Sequence, residues 1–260
     1  MKNVLFAIAL LSFLCCGCRT VPISGRSQLM LSSLSSENEL GVEAFREVKQ
    51  KTPVSKNAAL TQSLNRVGAA LKAVAPGEGF EWEFVLFESD EANAFCLPGG
   101  KVAVYTGLFA FIENDAELAV VVAHEIAHVV ARHGGERMSW SLLQSLGLMG
   151  LSYGTESETL LTLYGVATDV GVLLPYSRAN ETEADQIGLT LMARAGYDPN
   201  AALHFWQKFS AGKSPSAIEV FLSTHPGGAA RISDLKKAMP GAVAEYESAP
   251  VKKGFGNALR

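Results

Sequence analysis

The pattern His-Glu-x-x-His, formed by His124, Glu125 and His128, lies in an otherwise almost apolar stretch of the chain. Residues 118–123, directly before it, are all apolar. A run of this kind predicts a buried central helix. Three ionisable side chains on a buried helix are costly unless they have polar partners. The chain is therefore expected to fold around a polar site inside its core.

The predicted helix has recognisable start and stop signals. Asn114 is a suitable N-cap, and Glu117 stands where its carboxylate can reach back to the cap amide. Gly134 and Gly135 are the expected end of the helix, which gives it about 18–20 residues. The neighbouring His133 is expected to face away from the motif, at the surface.

The motif itself indicates a catalytic metal. On a helix, His124 and His128 share one face, whereas Glu125 is turned by about 100°. A zinc hydrolase needs this arrangement, with two imidazoles on the ion and a carboxylate poised over its water. The alternative of two core histidines and a surface glutamate leaves ionisable groups without partners. A structural zinc site usually takes four closed ligands, often cysteines, but only Cys96 lies outside residues 15–18.

A third ligand has to come from elsewhere in the chain. The extended pattern His-Glu-x-x-His-x-x-Gly-x-x-His is excluded, because Ala131 and Gly134 occupy its last two positions. Glu181 and Asp185 are four residues apart, so both carboxylates face one way on a helix. One could bind zinc while the other orients a ligand imidazole. Glu183 is expected to project from the other side of the helix into solvent. The alternative for the whole stretch is an acidic helix start that binds no metal.

The motif followed by a distant Ser-Arg-x-x-Glu-x-x-Ala-Asp resembles the M48 metallopeptidases, and among them the bacterial OMA1-like branch. Three further stretches are similar to motifs of that family, and the resemblance covers roughly residues 20–240. They are Pro22–Leu29, Asn93–Gly100 and Ser223–Pro226, the last with Arg231.

The resemblance implies a fold, a cofactor and a set of site residues. The fold would be α+β, a mostly helical zincin of the gluzincin type with a small sheet beside the motif helix. One Zn²⁺ per chain would be bound by His124, His128 and Glu181. Asp185 would orient a ligand, and Glu125 would act as the general base.

Two further assignments depend on the same resemblance. The family's Thr-His-Pro element implies that His225 lies near the metal. It could donate to the oxyanion, occupy the open position as a fourth ligand that keeps the enzyme latent, or be a structural histidine. Asn93 and Ala94 resemble the edge-strand pair with which gluzincins bind an extended peptide.

The expected function is therefore a zinc endopeptidase that cleaves unfolded or misassembled envelope proteins with a loose sequence preference. The alternative is a periplasmic chaperone or assembly factor that binds clients in the same cleft. A purely binding protein would have no need of Glu125, which favours the enzyme.

The chain divides into four expected segments. Residues 1–18 predict a signal peptide with a lipobox, which ends at Cys18 as the lipidation site. A plain cleaved signal and an uncleaved anchor are the alternatives. Residues 19–38 are expected to form an extended arm, 39–244 the metallopeptidase domain and 245–260 a polar, loose tail. The expected location is the periplasm, with a lipid anchor in the outer membrane.

Charge and hydropathy limit the possible partners. The net charge of −4 and the lack of a basic cluster argue against nucleic acid. Residues 141–176 are rich in Leu and Gly but are interrupted by polar residues such as Asp169. A membrane span needs about 20 consecutive apolar residues. Two amphipathic helices, at 141–151 and 158–173, are therefore expected to cap the cleft. The oligomeric state is not predicted.

Overall fold

A small mixed sheet carries alternating side chains into two separate apolar clusters. The computed structural model describes residues 17–77, 79–155, 157–168, 174–210, 225 and 229–259. In this part the strands are β1 Cys18–Thr20, β2 Ser27–Leu29, β3 Glu83–Phe87, β4 Ala94–Leu97 and β5 Lys101–Tyr105. The helices are α1 Leu34–Lys51, α2 Ala58–Lys72, α3 Asp115–Val130, α4 His133–Gly154, α5 Glu158–Thr168, α6 Leu174–Arg194, α7 Asn200–Ser210 and α8 Ala229–Ser248. The predicted α+β, mostly helical class is confirmed.

The sheet has the order β3-β5-β4, with β5 parallel to β3 and antiparallel to β4. Val85 and Phe87 pack with Phe45 of α1 on one face. Leu86 and Val102 point to the other face and join the main core. Apolar side chains thus lie on both faces of the sheet, because successive residues of a strand point to opposite faces. Strand β4 is left as an edge, and it lies beside the motif helix α3.

The motif helix α3 starts as predicted but ends earlier. The Asn114 side chain accepts a hydrogen bond from the Glu117 amide at 3.0 Å. The Glu117 carboxylate bonds the amide of Glu113, at 2.8 Å, instead of the cap amide. Arg132 has a φ of 54°, in the left-handed region, and this residue separates α3 from α4. Gly134 therefore lies in the first turn of α4 and does not end the motif helix.

Helix α6 lies close against the motif helix because a glycine stands at their contact. A Cβ added to Gly188 would be 3.0 Å from the His124 amide nitrogen and 3.1 Å from the carbonyl carbon of Ala123. Gly188 is seven residues after Glu181 and three after Asp185, which places all three on one face of α6. The close approach thus brings both carboxylates to the motif.

The two ends of the described chain are packed against the domain, in contrast to the expected extended arm and loose tail. Strands β1 and β2 form a hairpin, and Val21 and Met30 are buried. At the other end, the amides of Asp115 and Ala116 donate to carbonyls of residues 257 and 255, at 3.0 and 3.1 Å. The first amides of a helix lack partners within it. The C-terminal segment supplies these partners for α3.

Helices α4 and α5 form an antiparallel pair near the predicted helices at 141–151 and 158–173. Residues 169–173 of that prediction lie outside the described part. Many large apolar side chains of this pair are exposed. They include Leu142, Leu146, Met149, Tyr153, Leu160, Leu163 and Val166. Within the described residues, no helix is both long enough and apolar enough to cross a membrane.

Candidate metal centre

Four side chains converge at the middle of the motif helix. His124, His128, Glu181 and His225 each offer a ligand atom, and these atoms all lie within 4.8 Å of one another. The Nε2 atoms of His124 and His128 are 3.1 Å apart. The Glu181 carboxylate lies 3.3 Å from the first nitrogen and 3.2 Å from the second. Helices α3 and α6 thus supply three converging donors.

The fourth donor is a nitrogen of His225. Its Nδ1 lies 2.9 Å from Glu181 Oε2 and 3.1 Å from His124 Nε2. In a tetrahedral zinc site with ligand distances of about 2.0–2.2 Å, neighbouring donor atoms stand about 3.3 Å apart. The observed separations and the nitrogen and carboxylate donors match this geometry. The residues present therefore fit one zinc ion.

The protonation of His128 and Glu181 suits a cation. Burial lowers the pKa of His128 to about 3, so its ring is neutral and can bind a metal. Burial opposes the charged form of Glu181, but hydrogen bonds with His124, His128 and His225 hold its pKa well below the usual range. The site thus presents a neutral imidazole beside a carboxylate anion.

Asp185 and Arg231 orient His124 from behind. Asp185 Oδ1 lies 3.0 Å from His124 Nδ1, where it accepts the ring proton and leaves Nε2 for the metal. Arg231 Nη2 donates to the same Asp185 oxygen at 2.5 Å, and its guanidinium lies 3.5 Å from the centre of the Trp206 ring. Burial opposes the charge on Asp185, yet Arg231 and His124 lower its pKa. The only sequence signal for Arg231 is its place after the Thr-His-Pro element.

His133 and Glu183 are part of the site, so their predicted surface positions are wrong. His133 is buried, and its Nδ1 lies 2.8 Å from His128 Nδ1. Its Nε2 lies 2.9 Å from Glu183 Oε2, and Glu183 is also buried. The prediction extended one helix through Arg132, whose left-handed backbone turns His133 back toward the motif.

Glu125 is poised beside the four donors. It is buried, and its Oε1 lies 3.5 Å from His225 Nε2. Within the described residues, that oxygen has no hydrogen-bond partner. Burial raises the pKa of Glu125, although the charges of His225 and His124 oppose the rise. A raised carboxyl pKa suits a group that takes up and releases protons near neutral pH.

A cleft of about 300 Å³ opens onto these residues. One wall is the edge strand β4 and the turn that follows it, over residues 95–99. The structure does not place Asn93 and Ala94 in this wall. Ala94 is fully buried, and the Asn93 carbonyl accepts the Tyr105 amide at 2.9 Å. The predicted edge strand is present, but its cleft-facing part begins two residues later.

Cys96 lies in that wall and also packs against the main core. Its thiol is half-buried and faces Glu125. Burial raises the pKa of the thiol, and the negative charge of Glu125 adds to the effect. The thiol therefore stays neutral beside the carboxylate.

Comparison with known proteins identifies the family. The sequence profile of peptidase family M48 matches residues 55–239, which is more than half of the chain. The chain belongs to peptidase family M48. Mitochondrial metalloendopeptidase OMA1 of Schizosaccharomyces pombe is 34% identical over 233 residues, 88% of this chain and 68% of that protein. The Beta-barrel assembly-enhancing protease of Escherichia coli K12 is 31% identical over 230 residues, 84% of this chain and 46% of that protein.

The M48 membership confirms the predicted family and enzyme class, a metalloendopeptidase. Mitochondrial metalloendopeptidase OMA1 of Arabidopsis thaliana is 38% identical over 183 residues, 69% of this chain but 36% of that protein. The chain thus spans less than half the length of this relative and of the Escherichia coli protease.

The predicted lipidation site lies at the start of the first strand. Cys18 is exposed in β1, where it pairs with Leu29. Residues 1–16 of the predicted signal peptide and lipobox at 1–18 lie outside the described part. Acylation of Cys18 stays a prediction.

Proposed function

We propose that this M48 metallopeptidase is a zinc endopeptidase that cleaves unfolded or misassembled proteins of the bacterial cell envelope. The observation that carries the proposal is the convergence of His124, His128 and Glu181 with the buried carboxylate of Glu125. Glu125, His128 and Glu181 line an open cleft that has a strand edge as one wall. A binding site would not need a base beside the metal ligands.

A zinc ion held by these ligands supplies positive charge that polarises a carbonyl group and lowers the pKa of water. Glu125 accepts the proton that the attacking water loses. The same carboxyl then donates this proton to the leaving amine, which restores the Glu125 carboxylate. Asp185 holds His124 in the tautomer that binds through Nε2.

His225 acts as the fourth donor in this conformation and keeps the enzyme latent. The position of its Nδ1, 2.9 Å from Glu181 and 3.1 Å from His124, supports this role over that of an oxyanion donor. A catalytic zinc needs one position open to water or substrate. His225 must therefore leave this position before a peptide can be cleaved.

The substrate is an extended segment that pairs with β4. An edge strand offers free main-chain groups, which bind any extended peptide with little regard for its side chains. Unfolded proteins supply such segments. The similarity to the Beta-barrel assembly-enhancing protease of Escherichia coli K12 supports a role in the envelope. A lipid on Cys18 would hold the enzyme at the membrane.

The test uses the purified mature chain with an unfolded casein substrate, beside the Glu125→Gln and His225→Ala variants. The zinc content of each protein is measured. We expect one zinc per chain in the wild type and in Glu125→Gln, with cleavage lost only in Glu125→Gln. Cleavage by His225→Ala should exceed that of the wild type if His225 imposes latency.

Two outcomes would contradict the proposal. A wild type that binds zinc and protects casein from aggregation, while His225→Ala also fails to cut, would favour the chaperone alternative. A wild type that binds no zinc would exclude the mechanism.

A further inference from the structure

The turn between β1 and β2 reaches the back of the metal centre. Arg26 forms two hydrogen bonds with the Glu136 carboxylate, at 2.9 and 2.7 Å. Its Nε donates to Glu183 Oε2 at 2.8 Å. Ser24 donates its hydroxyl proton to the other oxygen of Glu183. Both carboxylates are buried, at 1% exposure for Glu136 and 6% for Glu183.

These contacts continue as a chain of hydrogen bonds to His128, one of the proposed metal ligands. Glu183 Oε2 lies 2.9 Å from His133 Nε2, and His133 Nδ1 lies 2.8 Å from His128 Nδ1. A carboxylate only accepts, so His133 Nε2 carries the proton and its Nδ1 is an acceptor. His128 must then donate from its own Nδ1, which leaves Nε2 for the metal.

The turn that holds Ser24 and Arg26 is itself constrained. Ile23 has a φ of 71°, which is an outlier for a β-branched residue. Such a conformation is unfavourable and persists where the surrounding contacts determine it. Here the contacts are those of Ser24 and Arg26 with the two carboxylates.

We propose that Arg26 is a positioning residue for the metal centre, which acts through Glu183 and His133 on the orientation of His128. The β1–β2 hairpin is then a required part of the zinc site. Arg26 and Ser24 hold the Glu183 carboxylate in place by hydrogen bonds, so that its Oε2 accepts from His133 Nε2 and fixes the tautomer of His133. Without Arg26, the Glu183 carboxylate can turn away from His133, and His128 loses its fixed orientation.

The proposal rests on zinc as the bound metal, and it concerns affinity instead of cleavage. The test measures zinc dissociation constants of the mature chain by chelator competition, together with the Tm of the metal-free protein. Arg26→Met and Glu183→Gln should each weaken zinc binding by about 10–100-fold. The double variant should bind zinc no more weakly than whichever single variant has the lower zinc affinity. Both substitutions break the same chain of hydrogen bonds, so their effects should not add. Arg26→Lys should fall between the wild type and Arg26→Met, because lysine restores the charge without the forked geometry.

Arg66→Met is the matched control. Arg66 donates to the buried carboxylate of Asp115, at 3.0 and 2.7 Å, at the start of the same motif helix. It has the same chemistry as Arg26, but its contacts within the described residues do not lead to a proposed metal ligand. We expect Arg66→Met to lower the Tm and to leave zinc affinity within about twofold of the wild type.

Arg26 would have only a structural role if Arg26→Met lowered the Tm as Arg66→Met does while zinc affinity stayed unchanged. If Arg26→Met does not fold, Glu183→Gln and Arg26→Lys decide the question by the same readout. A wild type that binds zinc but cuts nothing removes the proposed endopeptidase and leaves this inference standing. A wild type without zinc affinity removes both.

Discussion

The two proposed histidine ligands of the motif helix have different partners at Nδ1. His124 Nδ1 lies 3.0 Å from the Asp185 carboxylate, and His128 Nδ1 lies 2.8 Å from the ring of His133. The first partner is an anion held by Arg231, whereas the second is an imidazole ring that is itself held by the Glu183 carboxylate. The two ligands can therefore be perturbed independently.

Asp185→Asn should weaken zinc binding by about 10–100-fold, because the amide replaces the anionic acceptor of the His124 proton. Arg231, which is buried, loses one of its charge partners in the same variant. Chelator competition gives the zinc affinity, and the Tm of the zinc-free variant reports how much stability the substitution removes. Unchanged affinity would show that His124 does not need this acceptor.

The buried hydroxyl of Tyr197, outside the metal centre, should make the free energy of unfolding depend on pH. The side chain is buried, and burial together with the charge of Asp115 raises the pKa of its hydroxyl to about 12. The unfolded chain releases this proton near pH 10, so the free energy of unfolding falls between pH 10 and about 12. Tyr197→Phe should remove this part of the decline and cost little at pH 7, because its hydroxyl has no hydrogen-bond partner within the described residues. Denaturant titrations at pH 7 to 11 of both proteins test this, and parallel curves would contradict it.

At the scale of elements, the metal centre depends on how closely α6 approaches α3. Ligands on two helices meet only if the backbones are near enough for side chains to share an ion. Gly188 permits this approach, since the nearest atoms to an added Cβ would be backbone atoms of Ala123 and His124. Backbone atoms inside a helix cannot turn aside as a flexible side chain can.

Gly188→Ala should therefore shift α6 by a few tenths of an ångström and weaken zinc binding, although alanine favours the helix by about 1 kcal/mol. Gly165 of α5 is the control position, because no atom lies within 4 Å of a Cβ added there. Gly165→Ala should leave zinc affinity unchanged. Equal zinc affinities for the two variants would show that the contact between α3 and α6 can relax freely.

At the scale of the whole molecule, the start of the motif helix joins distant parts of the chain. Asp115 accepts two hydrogen bonds from Arg66 of α2 and one from the amide of residue 257, at 3.0 Å. Asp115→Asn should lower the Tm by several degrees, because about 1–3 kcal/mol is lost when a buried acceptor of charged donors is weakened. Zinc affinity should hardly change, and calorimetry with chelator competition separates the two effects. A large loss of affinity would contradict this separation.

The sequence predicted the parts of the site that follow from local periodicity. His124, His128, Glu181 and Asp185 are each four residues from a partner on one helix, and the structure brings them together as that spacing requires. His133 was missed because the left-handed Arg132 breaks the period, and no turn residue announces that break.

The remaining differences between the prediction and the structure arise from contacts between segments that are far apart in the chain. The hairpin at residues 18–29 and the segment at 254–259 look polar and short in sequence. Their order comes from the carboxylates and helix amides that they satisfy. Composition describes such a segment but does not reveal its partners. The cleft wall on β4 likewise starts at Phe95, a position that a motif comparison does not give.

Strand β4 has a consequence for the fate of the enzyme population. If β4 binds main-chain groups as proposed, it cannot distinguish a foreign chain from an unfolded copy of the enzyme itself. Molecules that lose their zinc and open would enter the clefts of intact neighbours and be removed there. The quantity of active enzyme would then be limited by its own conformational quality, without a separate regulator.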